Sequence, residues 1–246
     1  AISVSGSAVF LGGAFNTVGC LPRQGLAAYD ATTGEITDWN PGMTGVVNAL
    51  EVRGSTVYVG GLFGQIGGAS RTNLAAVDAV TGVATSWNPT MTGAVTELAI
   101  SLGTVYVSRT SSPRALAFDI ATGSQTGWNP TPNLPVSDIE ATSSFVYLAG
   151  QFTTIGGASR NRLAAVDLVT GLASSWNPNA NGIVSDIEVS GTTVYAGGQF
   201  SVIGGDVRNR LAALDAFTGL ALPWNPDANA NVNAIALAGP VVFVGG

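Results

Sequence analysis

The chain has 246 residues, only 10% of them charged, and its fifteen carboxylates outnumber nine basic residues for a net charge of −6. Every basic residue is Arg, so with no His and no Lys the chain cannot build a Ser-His-Asp or Cys-His catalytic set or a Schiff base, and it lacks the commonest zinc ligand. An acidic chain without a concentrated basic surface is expected not to bind nucleic acid, and no apolar run approaches the roughly 18 residues of a membrane-spanning helix.

Residues 1 to 13 read as the first two strands of a unit whose signature closes at Trp39-Asn40-Pro41. The same triplet recurs at Trp87, Trp128, Trp176 and Trp224, at spacings of 48, 41, 48 and 48 residues. A tandem repeat of about 45 residues, rich in Val, Ala, Thr and Gly and without helical periodicity, predicts stacked four-stranded sheets, an all-β propeller. The second repeat shows the plan: Val47 to Val52, Val57 to Phe63, Asn73 to Val77 and Val83 to Trp87 are its expected strands. Tight turns fall at Arg53-Gly54-Ser55-Thr56 and at Asp78-Ala79-Val80-Thr81-Gly82, with Gly82 where a positive φ is needed. Asp-x-x-Thr-Gly recurs from Asp30, Asp119, Asp167 and Asp215, whose carboxylates are expected to bond turn amides.

Runs such as Val57-Tyr58-Val59 and Val105-Tyr106-Val107 lack polar alternation, as strands covered on both faces do. Each Trp is expected to pack between neighbouring sheets. The Pro that follows cannot donate to a ladder, and it sends the chain across to the next repeat.

Between the second and third strands lies Gly-Gly-x-Phe-x-x-Ile-Gly-Gly, full in Gly60 to Gly68 and in Gly197 to Gly205. Arg23, Arg71, Arg160 and Arg208 follow this loop, and Arg162 and Arg210 sit two residues farther on. These six Arg are the candidate binding residues, either holding their loops through carbonyls or a carboxylate, or facing a protein or acidic glycan ligand. Loop and crossover are expected on one face and the Asp-x-x-Thr-Gly turns on the other. In the third repeat the loop is seven residues shorter, Ser108 to Pro113, which leaves a notch. Cys20, the single cysteine, stands where Gly68, Gly157 and Gly205 stand in other repeats and excludes an internal disulfide. Asp227-Ala228-Asn229-Ala230-Asn231 opens like a calcium loop but lacks the Gly and the bidentate acid that complete one, so no metal or other cofactor is expected.

Gly150-Gln151-Phe152-Thr153-Thr154-Ile155-Gly156-Gly157, Arg160-Asn161-Arg162 and Trp176-Asn177-Pro178 resemble the delta-60 type of propeller repeat. That resemblance covers nearly the whole chain and implies a secreted or surface bacterial protein with no catalytic residues to carry over. A second stretch, Ala76 to Gly82 followed by Trp87, is similar to the tryptophan-docking motif of quinoprotein dehydrogenase propellers. Four residues rather than three separate Gly from Trp, so strand alternation predicts that the indole turns to the other side and does not dock. The lone cysteine cannot form that family's vicinal disulfide.

The repeats run approximately 1–46, 47–94, 95–135, 136–183 and 184–231 within one expected domain, with a partial unit at 232–246. Residues 234–246 align with 1–13, Ala-Ile-Ala-Leu against Ala-Ile-Ser-Val, so the first two strands occur six times and the outer half five times. A bare hairpin invites pairing, and self-association through it is expected if the sixth unit is incomplete. The functional expectation is a non-catalytic extracellular binding or structural module. Assembly into a surface fibre or layer is the alternative, and a degenerate quinoprotein-like enzyme the lesser one. With neither a signal peptide nor an initiator Met at its start, the chain reads as a mature or excised segment.

Overall fold

The structure is a computed structural model that describes residues 1–246. It is all strand and turn, and no helix is long and apolar enough to cross a membrane. Two compact units divide the chain: residues 1–111 with 118–126, and residues 112–117 with 127–246.

In the first unit, β1 (Ile2–Ser5) and β2 (Ala8–Gly12) form a hairpin, β3 (Thr17–Val18) and β4 (Leu21–Pro22) form a short arm, and β5 (Leu26–Asp30) returns to pair with β2. The next sheet repeats the plan. Strands β6 (Met43–Arg53) and β7 (Thr56–Ile66) are joined by β8 (Ala69–Ser70), which folds back on the end of β7, and by β9 (Leu74–Asp78). The hairpin of β10 (Val95–Ser101) and β11 (Thr104–Arg109) follows, and the division between units falls inside β12 (Ala115–Asp119).

The second unit holds β13 (Val136–Ala141) and β14 (Val146–Gly150), the arm β15 (Thr154–Ile155) and β16 (Ala158–Ser159), and β17 (Leu163–Val166). Strands β18 (Val184–Ser190) and β19 (Thr193–Gly198), the arm β20 (Val202–Ile203) and β21 (Asp206–Val207), and β22 (Leu211–Asp215) repeat it. Last come β23 (Ala234–Ala238) and β24 (Val241–Gly245), a hairpin with no third strand.

The expected fourth strand lies in its place but is only one bridge long. Val77 pairs with Ala84, and the same single bridge joins Tyr29 to Ile36, Val166 to Ala173 and Leu214 to Ala221. Its remaining backbone groups find other partners. The Ala84 amide donates to the Gly67 carbonyl at the arm's tip, 2.9 Å, instead of extending a ladder. Strand β7 also runs three residues past the expected Phe63, because the loop after it continues as the arm.

Sheets within a unit are clamped by the tryptophans. Trp39, Trp87, Trp128 and Trp176 are buried, and each indole N–H donates to the carbonyl of the Asp that opens the next repeat's turn. The acceptors are Asp78 at 3.0 Å and Asp119, Asp167 and Asp215 at 2.9 Å. Each of Phe10, Tyr58 and Tyr147 meets the Trp of its own repeat edge-on, with ring centroids 5.0 to 5.2 Å apart. The expectation that the indole cannot dock is therefore corrected. Strand alternation was the wrong rule for Val83 to Trp87, because that segment is not a continuous strand and the Thr85 hydroxyl accepts the Trp87 amide at 3.2 Å, bending the chain. Truncating such a buried aromatic typically costs about 3–5 kcal/mol.

Candidate functional site: the arginine-bearing arms

Each arm turns on two residues with positive φ, the pattern of a type I′ hairpin: Gly67 and Gly68, Gly156 and Gly157, Gly204 and Gly205. The first of each pair is wedged. A Cβ on Gly67 would lie 2.4 Å from the Ala84 nitrogen, and Gly156 and Gly204 meet Ala173 and Ala221 as closely. The second faces open space, which is how Cys20 is accommodated there with φ 66, exposed and unpaired. The tip of each arm also ties two crossovers together, since Gly67, Gly156 and Gly204 donate to the carbonyls of Pro41, Pro130 and Pro178 from the preceding repeat. The Gly67 tip lies against the Gly82 carbonyl as well. Arms and Asp-x-x-Thr-Gly turns thus meet at the sheet's outer edge, which corrects the expectation that they stand on opposite faces.

The Arg following each arm acts as a staple. Arg23, Arg71, Arg160 and Arg208 each donate from one terminal nitrogen to the preceding residue's carbonyl, and from the other to a carbonyl two residues before the Trp: Thr37, Thr85, Ser174 and Leu222. Their Nε atoms are buried without a partner. Arg162 and Arg210 do different work. Both sit at positive φ where the first repeat has Gly25, and their guanidinium groups reach the Ala180 and Ala228 carbonyls at 2.9 and 3.0 Å. A non-Gly residue there carries about 1–2 kcal/mol of strain. The six candidates therefore occupy one recurrent place, with part of their donor capacity spent on backbone. Arg208 alone among them adds an ion pair, to Asp206 at 3.3 Å.

The turn carboxylates are committed as expected. Oδ1 of Asp78 accepts the Val80 and Thr81 amides at 3.0 and 2.7 Å and the Thr81 hydroxyl at 2.8 Å, with the same pattern at Asp119, Asp167 and Asp215 and the two amide bonds alone at Asp30. These bonds hold all five below the usual carboxylate range; the Thr amide leads at Asp30, Asp78, Asp167 and Asp215, and the Thr122 hydroxyl leads at Asp119. Asp227 accepts Asn209 Nδ2 at 2.7 Å, from a positive-φ turn after Trp-Asn-Pro.

Two features escaped the sequence. At a bulge in β13, Asp138 accepts the Ile187 amide of β18 at 2.8 Å, and at the matching bulge Asp186 accepts the Ile235 amide of β23. Burial pushes the Asp186 carboxyl up. The repeated Ser-Asp-Ile-Glu was the available signal. The second feature is apolar: Val169, Leu172, Phe217 and Leu220 stand exposed beside the turns of the second unit. The notch of repeat three is partly filled, because Arg109 lies buried with its guanidinium on the Thr92 carbonyl and on Thr92 Oγ1, the latter at 2.9 Å.

The family model described as outer membrane protein assembly factor BamB matches residues 22–246. No curated protein matches the chain. Among solved structures, BamB from Moraxella catarrhalis is similar with a TM-score of 0.56 at 18% identity, over 100% of this chain and 78% of that one. The WD40 β-propeller domain of Doa1 aligns at 0.66 and 14%, over 96% and 71%. The computationally designed Ika8 protein aligns at 0.67 and 18%, over 99% of this chain, which spans 66% of the designed one. These likenesses show a β-propeller fold.

Proposed function

From the premise that this chain belongs to the BamB family of outer membrane protein assembly factors, we propose that it is a non-catalytic protein-binding module of the bacterial cell envelope. The observation that carries the reading is the reuse of one rigid arm, in the same place, in repeat after repeat. The Asp-x-x-Thr-Gly carboxylates are spent on backbone amides and the arm's Arg on carbonyls, so these groups serve to present a surface. The delta-60 resemblance extends the reading outward, to a secreted or surface protein. The ligand is a protein that meets Arg160, Arg162, Arg208 and Arg210 through the guanidinium donors left over from stapling, with an acidic glycan as the competing ligand class.

The test is binding to immobilised envelope proteins and to a glycan array, with Arg160→Ala/Arg208→Ala beside Arg160→Lys/Arg208→Lys. Lys keeps the charge but cannot bridge two carbonyls. A surface role predicts binding lost in the Ala pair and retained in the Lys pair. Equal loss in both, tracking the melting temperature, reduces these Arg to staples. A second reading is assembly through the terminal hairpin, whose β24 pairs with β23.

A further inference from the structure

Three arm tips make the same pair of backbone bonds. Gly67, Gly156 and Gly204 donate to the carbonyls of Pro41, Pro130 and Pro178 at 2.8, 2.6 and 2.7 Å, and their own carbonyls accept the Ala84, Ala173 and Ala221 amides at 2.9 to 3.0 Å. For repeat three the corresponding residues are Pro89, in the preceding Trp-Asn-Pro triplet, and Gln125, which forms the single bridge with Phe118. With no arm to join them, neither the Pro89 carbonyl nor the Gln125 amide makes a bond. The Gln125 amide points away from β12, because the bridge is held by its neighbours, with the Asp119 amide on the Ser124 carbonyl at 2.9 Å.

The place of the arm is a cavity of about 320 Å³ lined by Asn88, Thr90, Thr122, Ser124 and Gln125 together with Phe118. A second hollow, of about 250 Å³, shares Asn88 and Thr90 and is lined by Pro89. No charged side chain lines either one, so hydroxyls and carboxamides face a ligand whose charge nothing there would neutralise. Gln125 is itself exposed, and it stands where the repeats with seated arms have half-buried Ala84, Ala173 and Ala221.

We propose that this cavity docks a glycine-bearing hairpin tip of a partner protein, seated as the chain's own arms are seated. The leading Gly of that tip donates to the Pro89 carbonyl and accepts the Gln125 amide, so main-chain bonds supply the affinity. Glycine is required there, since a Cβ on Gly67 would lie 2.4 Å from the Ala84 nitrogen in the seated arm of repeat two. The Gln125 carboxamide, which the Ala repeats lack, bonds the backbone flanking the tip.

This inference rests on the protein-binding reading and gives it a site. The probe is a backbone-cyclised peptide carrying the arm sequence of residues 63–71, Phe-Gly-Gln-Ile-Gly-Gly-Ala-Ser-Arg, titrated into the full isotope-labelled chain and followed by amide resonances. Saturable shifts of the Gln125 and Ser124 amides are expected, with binding at least about tenfold weaker for the same peptide carrying Gly67→Ala, the equivalent of one lost hydrogen bond. Gln125→Trp, which fills the cavity from an exposed position, is expected to abolish the Ser124 shift at an unchanged melting temperature. Should it fold poorly, Thr90→Trp fills the cavity from the opposite wall. No shift at these amides with millimolar peptide, equal affinity for the two peptides, or binding that survives a cavity-filling variant overturns the proposal. Shifts produced by a neutral oligosaccharide and not by the peptide overturn it in favour of a glycan. The titration uses no envelope protein, so its failure leaves the protein-binding reading standing, and that reading fails separately if the wild-type chain captures no envelope protein.

Discussion

Repeats two and three differ after their second strand. In repeat two an arm reaches out and its tip joins Pro41 to Ala84 through backbone alone, and Gly60 and Gly61 are tolerated nowhere but in close contact: a Cβ on Gly61 would stand 2.1 Å from the Val46 carbonyl. In repeat three the arm is gone and side chains stand in the two glycine positions. Ser108 bonds Thr96 Oγ1 at 2.7 Å and the Glu97 amide at 3.1 Å, and Arg109 reaches Thr92. Both side chains bond β10 and the segment before it, whereas the place the arm takes in repeat two is left as a cavity of about 320 Å³ lined by Asn88, Thr90, Gly123 and Gln125. The comparison teaches that the sheet forms without the arm, and that the arm fills a space rather than completing the ladder.

The sharpest way to break the comparison is to spoil the arm's tip. Gly67→Ala forces a Cβ onto the Ala84 nitrogen at positive φ and is expected to cost more than about 3 kcal/mol, whereas Gly68→Ala, with open space around it, costs about 1. Chemical denaturation of the two variants measures the difference; equal costs would mean that the arm does not bear on the edge. Next in size is Arg109→Ala, which removes a buried guanidinium and its bonds to the Thr92 carbonyl and hydroxyl and should cost about 2 kcal/mol by the same measurement. Arg71→Ala removes one donor from Thr85 where the arm still holds Ala84, and about 1 kcal/mol is expected, a fall of about 2–4 °C in melting temperature. Cys20→Gly relieves a positive-φ residue at an exposed tip and should stabilise by about 0.5–1 kcal/mol.

The smallest effects are read against pH. The five turn Asp have folded pKa values below the unfolded value, so their contribution is present above about pH 4 and is lost as pH falls through the folded values. Asp186 runs the other way. Its raised folded pKa means that the folded state holds the proton more tightly, so stability declines as pH rises above about 4. Asp186→Asn keeps an oxygen for the Ile235 amide and should flatten that decline in a series of melting curves between pH 4 and 7.

Much of this was legible beforehand. The spacing of the five Trp-Asn-Pro triplets marked the repeats, and Asp-x-x-Thr-Gly declared its own hydrogen bonds, because both depend on local chemistry that each copy carries complete. The arm's fold-back was not legible, since it depends on a contact between Gly67 and Ala84, with Gly82 beside it, that no periodicity reports. The docking of Trp87 was misread for the same reason: alternation holds along a strand, and the arm with its Arg had taken the partners that would have made one. The stapling role of Arg71 was legible only as one of two alternatives, because a guanidinium after a Gly-rich loop suits a carbonyl as well as a ligand.

The indole bonds have one more consequence. Trp39, Trp87, Trp128 and Trp176 each spend their donor on the turn of the following repeat, so removing one whole repeat takes away a donor and an acceptor together and leaves the balance of indole bonds unchanged.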